Sequence, residues 1–167
     1  ATKNWDLDFL LNLKEDKDIL LLSGNFIQDD KGVLYVANTI GFLEFNGVSW
    51  RHFKPENDGV PLSFAKDENG RIYSGGTGFI GYLDQDENGQ TKFNQLNHLL
   101  PKDFMLQYVW NTISKDGNIY FQNLKNVIVY NGEKLHVIDS EYYISNMYHI
   151  NNTIFVDTVH GIYTIEN

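Results

Sequence analysis

Apolar residues fall along this chain in short runs separated by Gly, Asn and Asp, each run long enough for a strand and too short for a helix. The first group predicts strands at 25–28, 33–37, 42–45 and 49–53. The second predicts 63–66, 71–74, 80–83 and 91–95, and the third 110–114, 118–122, 127–130 and 134–138. A fourth group gives 146–150, 153–157 and 161–165, with no outer strand. The Asn46-Gly47 and Asn131-Gly132 dipeptides read as two-residue hairpin turns, with positive φ at both positions.

A phrase recurs on top of this pattern. Gly32 precedes Tyr35, then come Gly41 and Asn46-Gly47; Gly70 precedes Tyr73, then Gly81 and Asn88-Gly89. Gly117, Tyr120 and Asn131-Gly132 form a third copy, and Asn152, Phe155 and Gly161 a fainter fourth. The ring at 35, 73, 120 and 155 sets periods of 38, 47 and 35 residues. Repeats of that length with several short strands are the signature of propeller blades. The expected fold is therefore all-β: about four blades of four antiparallel strands, at 25–53, 63–95, 110–138 and 146–165 within 25–167. It reads as part of a larger propeller or as one closed by an N-terminal strand. Residues 1–24 are expected to hold a short helix at 5–13 and a strand at 18–22. That strand either completes the last blade, in the same chain or a neighbouring one, or ends an earlier blade. An open sheet edge invites pairing, so a homo-oligomer is one expected partner.

Composition narrows the function. The 167 residues are 42% hydrophobic and 14% aromatic, enough for a core and suited to sheets. A net charge of −9 repels a phosphate backbone, which argues against nucleic acid as a partner of this segment. No apolar run approaches a membrane span, so membrane attachment is expected only through parts outside this sequence. Without cysteine there is no disulfide, thiolate nucleophile or cysteine metal site. The opening Ala1-Thr2-Lys3 is expected of a mature or truncated chain.

Strand alternation divides the loops between two ends of the blades. Tight turns (29–32, 46–47, 67–70 and 131–132) fall at one end, and the longer links 54–62, 96–107 and 139–144 at the other. Long links are where binding concentrates, so the second end is the expected ligand face. Trp50, Trp110, Tyr142 and Tyr143 are candidates for stacking on sugar rings there, although Trp50 and Trp110 also fall in predicted strands, where core packing is the competing role. Asn38, Thr39, Gln122 and Asn123 are candidates for bonding hydroxyls, with Gly76 and Thr77 in the Gly-rich link beside them. That link lacks the Lys-Ser/Thr of a phosphate loop.

Asp84, Asp86 and Asn88 match the first half of a calcium loop, but Gln95 stands where the bidentate Glu belongs, so a solvated acidic turn is the preferred reading. His52, His98, His136, His149 and His160 show no zinc spacing. No G-x-S-x-G elbow is present. No cofactor, metal or catalytic residue is expected.

Two stretches carry a family resemblance. The run from Ile27 to Trp50 (IQDDKGVLYVANTIGFLEFNGVSW), together with Asp67-Glu68-Asn69-Gly70-Arg71-Ile72-Tyr73-Ser74-Gly75-Gly76, resembles the periplasmic two-component regulator propeller repeat. Gly78-Phe79-Ile80-Gly81-Tyr82-Leu83 is similar to the version in triple-tyrosine-motif regulators. The resemblance covers the first two units, weakens over the next two and is absent from 1–24. It implies a periplasmic or extracytoplasmic sensor domain of a membrane-bound histidine kinase or transcriptional regulator, often tied to glycan use. It transfers no ligand residue, because the matching positions are turn glycines and core rings. The expected function is thus a non-enzymatic ligand-sensing module with an oligosaccharide ligand. A protein–protein scaffold and a propeller glycan hydrolase or lyase are the rivals.

Overall fold

A computed structural model describes residues 23–165. The expected helix at 5–13 and strand at 18–22 lie outside them. The first sheet runs β1 (Ser23–Gln28), β2 (Leu34–Asn38), β3 (Gly41–Phe45) and β4 (Trp50–Phe53). The second runs β5 (Pro61–Lys66), β6 (Ile72–Gly76), β7 (Phe79–Gln85) and β8 (Thr91–Gln95). The third has β9 (Asn111–Lys115), β10 (Asn118–Gln122), β11 (Asn126–Tyr130) and β12 (Leu135–Asp139), and the fourth β13 (Ile144–Ile150), β14 (Thr153–Thr158) and β15 (Gly161–Ile165). Each sheet is an antiparallel meander in sequence order. Every strand bound lies within two residues of its expected place.

First strands stand side by side: β1 against β5, β5 against β9, β9 against β13. The sheets therefore fan outward from an inner row, which is the blade arrangement of a propeller. Side chains bridge that row. Asn25 donates to the Leu62 carbonyl at 3.0 Å, Ser63 and Thr112 share a 2.7 Å hydrogen bond, and Asn111 donates to Asn146 Oδ1 at 2.9 Å. Gly75, facing this row, has no room for a side chain, since a Cβ would overlap Val109.

The core lies between blades and not at one centre. Tyr35 and Phe42 from the first blade meet Ile72, Phe79, Leu83 and Phe93 of the second. The rings of Phe42 and Phe93 are 5.0 Å apart, and Phe79 and Phe93 meet edge-on at the same distance. Tyr73 and Ile80 meet Ile119, Phe121, Ile128 and Tyr130 at the next junction, and Tyr120 and Val127 meet Met147, Ile154 and Val156 at the last. Alternation along each strand explains this, because successive side chains point to opposite faces and each blade faces two neighbours. The recurring aromatic at 35, 73 and 120 fills the junction with the following blade.

Turn chemistry differs from the expectation in one respect. Asn46-Gly47 and Asn131-Gly132 are not two-residue turns: Phe45 pairs with Trp50 and Tyr130 with Leu135, leaving four-residue loops. Only the glycines take positive φ, 93° and 95°. Each asparagine instead accepts two amide hydrogen bonds across its loop, from Val48 and Ser49 and from Glu133 and Lys134. The side chain thereby replaces the backbone strain of the tighter turn. Two-residue turns with positive φ at both positions occur at Asp116-Gly117 and Asn151-Asn152.

Candidate functional site

The loop-bearing end of the blades is built by links that cross from one sheet to the next. Residues 107–109 run alongside 76–78: Gly78 N–H donates to the Gln107 carbonyl and Val109 N–H to that of Gly76, both at 3.0 Å. Thr77 and Tyr108 form a bridge within this ladder. The link 140–144 repeats the device over the third blade, with Ser140 N–H on the Lys125 carbonyl and Ile144 N–H on that of Leu124. Both segments then enter an inner strand, so Trp110 and Tyr143 stand at the inner mouth of this face.

Three aromatic residues there present their rings outward: Tyr108 is 53% exposed, Trp110 51% and Tyr143 54%. Tyr108 and Trp110 stack on each other, centroids 5.2 Å apart and planes 11° from parallel. Lys125 Nζ sits 4.7 Å above the Tyr143 ring. Tyr142 turns inward, 4.2 Å from the His160 ring. A stacked pair with its outer surfaces in solvent offers a flat apolar platform edged by polar groups, suited to the C–H face of a ring-shaped ligand. Tyr108 was not among the sequence candidates. Its signal was its place two residues before Trp110, which puts both rings on one side of an extended segment.

Other candidates have duties within the fold. Asn38 and Gln122 are buried at the ends of second strands, and Asn38 Oδ1 accepts the Ile40 N–H at 3.1 Å. Gln122 Nε2 donates to the Asn123 carbonyl at 3.0 Å, while its buried Oε1 accepts no hydrogen bond among the described residues. Asn123 Oδ1 accepts the amides of Lys125 and Asn126 at 2.8 and 2.7 Å, closing its own turn. All three amides are buried, so ligand hydroxyls have little access to them. Gly76 is buried at a position where a Cβ would overlap Phe79 and the Val60 carbonyl. Thr77 Oγ1 accepts the Val60 N–H at 2.6 Å. Thr39 is exposed on the loop-bearing face. Trp50 lies at the opposite end: it pairs with Phe45 beside the 46–49 loop and stacks on that ring at 4.8 Å. The structure thus separates Trp50 from the other candidates, because strand β4 begins at the tight-turn end.

The long link 96–110 is less open than its length implied. It holds a 3-10 turn at Asn97–Leu99, and its Leu96, Leu99, Leu100, Phe104 and Leu106 pack onto the second blade junction. Only its last part reaches the mouth as Tyr108 and Trp110.

Asp84, Asp86 and Asn88 surround the β7–β8 turn. Asp86 Oδ1 accepts the amides of Asn88 and Gln90 at 2.8 and 2.9 Å. Asp29 and Asp67 make the same pair of bonds in their own Asp-x-x-Gly turns. Asp84 Oδ2 accepts from Asn94. The carboxylate of Asp86 closes a hairpin, the role that Asp29 and Asp67 play in turns without a second alternating acid. Among the described residues no group of three or more His, Asp and Glu is placed to hold a metal.

The fold and this face define a four-bladed segment of a β-propeller, with its links and exposed rings gathered at one end. No protein-family model matches the chain, and no curated protein matches it significantly. Solved structures do. The extracellular domain of BT3049 from B. thetaiotaomicron, described as a hybrid two component system, superposes with a TM-score of 0.63 at 15% identity. That match covers 90% of this chain and 24% of the other. The extracellular domain of BT4673 from the same organism gives 0.62 at 15% identity, over 86% of this chain and 20% of that one. A catalytically inactive virginiamycin B lyase from Staphylococcus aureus with quinupristin gives 0.57 at 12% identity, over 87% and 55%. These neighbours are propeller-type, and the all-β propeller expectation is met. This chain spans a fifth to a quarter of the length of the two extracellular domains.

Proposed function

We propose that this chain is a ligand-sensing propeller segment of a bacterial signal-transduction regulator, working in the periplasm or outside the cell. The shared fold with two extracellular regulator domains and the repeat resemblance over the first two blades support the regulator context. The stacked Tyr108–Trp110 pair at the inner mouth carries the ligand reading. The ligand class is an oligosaccharide, held by stacking on those rings and on Tyr143, with Thr39 and Lys125 as polar contacts at the same end. The chain performs no chemistry on it. Binding across links that join successive blades biases the angle between them, and an attached regulator reads that bias.

A scaffold role is the second reading, favoured by Met105 and Val159, which are 83% and 63% exposed at the same end. The deciding experiment is calorimetric titration of the folded protein with an oligosaccharide panel, followed by Trp110→Ala. One saccharide class is expected to bind. Loss of one stacking ring should weaken it by about tenfold or more at unchanged thermal midpoint. Absence of saturable binding across the panel removes the oligosaccharide; turnover of any panel member removes the non-enzymatic reading.

A further inference from the structure

The first two blade junctions are sealed differently on their outer side. In the first blade Tyr35 pairs with Glu44 and Glu44 with Arg51; in the second the same register pairs Tyr73 with Tyr82 and Tyr82 with Asn94. At the first junction the Arg51 guanidinium is a bridge. It donates to Glu44 Oε2 at 3.0 Å, lies 4.7 Å over the Phe53 ring and donates to the Thr91 carbonyl of the next blade. At the second junction Asn94 holds that place, and its shorter side chain turns back to Asp84 Oδ2. The facing blade changes as well. Phe93 and Leu135 both pack against the preceding blade, and Glu133 lies two residues ahead of Leu135 as Thr91 lies two ahead of Phe93. A carboxylate therefore stands where the first junction offers a carbonyl to a guanidinium.

A cleft of about 750 Å³ opens at this second junction. Tyr82, Leu96, Leu99 and Tyr130 line it as buried or half-buried groups, and Glu56 and Glu133 as exposed ones. Its amides are engaged elsewhere. Gln95 Nε2 donates to Asn57, while Asn97 accepts the Ile80 N–H and donates to the Gly78 carbonyl. The carboxylates are not: among the described residues no Lys, Arg or His comes within ion-pair distance of Glu56 or Glu133. No Lys or Arg lines the cleft. Arg71 lies just outside the lining, 4.7 Å over the Tyr82 ring, which shows that this ring accepts a guanidinium.

We propose that this cleft binds a small organic cation, a guanidinium head on a short apolar stem. The head takes the place that Arg51 takes at the first junction, with its donor fork on the Glu133 carboxylate and its plane against the tyrosine rings. The stem lies on Leu96 and Leu99, and Glu56 adds negative potential at the loop-bearing end. A neutral ligand of the same shape gains little here, because the groups left free in the cleft are acceptors. Trp110 takes no part in this site, so the proposal stands or falls separately from the oligosaccharide reading.

The probe pair is butylguanidinium and butylurea, which share shape and stem and differ in charge. Titration of the 167-residue protein, followed by NMR shifts, is expected to show saturable binding of butylguanidinium with changes centred on Tyr82, Asn94 and Tyr130. Butylurea should bind about fivefold or more weakly. Glu133→Gln, at an exposed site, should weaken butylguanidinium by about the same factor at unchanged thermal midpoint. Glu141→Gln, equal in charge but placed in the link after β12, should leave it unchanged. Asn94→Arg supplies the guanidinium from the chain itself and should abolish binding. Equal affinity of the two probes, no saturable binding, or changes centred elsewhere overturns the proposal. So do equal losses in Glu133→Gln and Glu141→Gln, which would mean a general acidic field, and full binding retained in Asn94→Arg.

Discussion

At the residue scale, the side chains that shape this protein are turn closers as much as core fillers. Asp29, Asp67 and Asp86 each accept two backbone amides in the same Asp-x-x-Gly turn. At Asp84–Asn88 their polarity and spacing also match the first half of a calcium loop, because such a loop and a capped hairpin both place carboxylates before a glycine. Asp67→Ala leaves two turn amides to water and is expected to destabilise by about 1–2 kcal/mol, read as a lower urea midpoint with unchanged slope. The same ambiguity affected Asn38, Gln122 and Asn123. A polar residue next to a predicted loop says nothing about which way it turns, and here it turns back to the backbone. Tyr108 shows the converse: its exposure depends on a cross-blade ladder at 76–78 that one strand's pattern does not contain.

At the element scale, the strands were legible because each sheet is a meander whose alternation and turn residues are local. Junctions between blades were legible only in part. The recurring rings announced them, but not that Phe42 would meet Phe53, Phe64, Phe79 and Phe93 within 6.0 Å. Nor did sequence show that link 96–110 folds half of itself into the second junction, since apolar residues in a loop carry no strand period. Phe42 and Phe26 separate the two environments. Phe42 is fully buried and Phe26 is 75% exposed. Phe42→Ala is expected to cost about 3–5 kcal/mol by leaving a cavity among rings, and Phe26→Ala within about 0.5 kcal/mol. Chemical denaturation of the two variants side by side checks the contrast.

At the scale of the whole molecule, stability is distributed over junctions that each join one blade to the next. Three tyrosines report on them. Burial pushes the phenols of Tyr35, at the first junction, and of Tyr73 and Tyr130, at the second, above their ordinary value of 10.0. A group whose folded pKa is raised contributes stability that is complete below its unfolded pKa and lost as pH climbs through the folded one. Folding stability is therefore expected to hold up to about pH 10 and to decline above it. Urea titrations at stepped alkaline pH measure this, with tyrosinate absorbance following the same transition; stability that rises in that range contradicts it.

The inner row of first strands has a mechanical consequence. Each sheet is fastened mainly to its immediate neighbours, by a few side-chain stitches such as Asn25 to Leu62 and Asn111 to Asn146. A slight rocking at any one fastening is inherited by every sheet further along. The first and fourth described sheets are therefore coupled mainly by way of the two that lie between them.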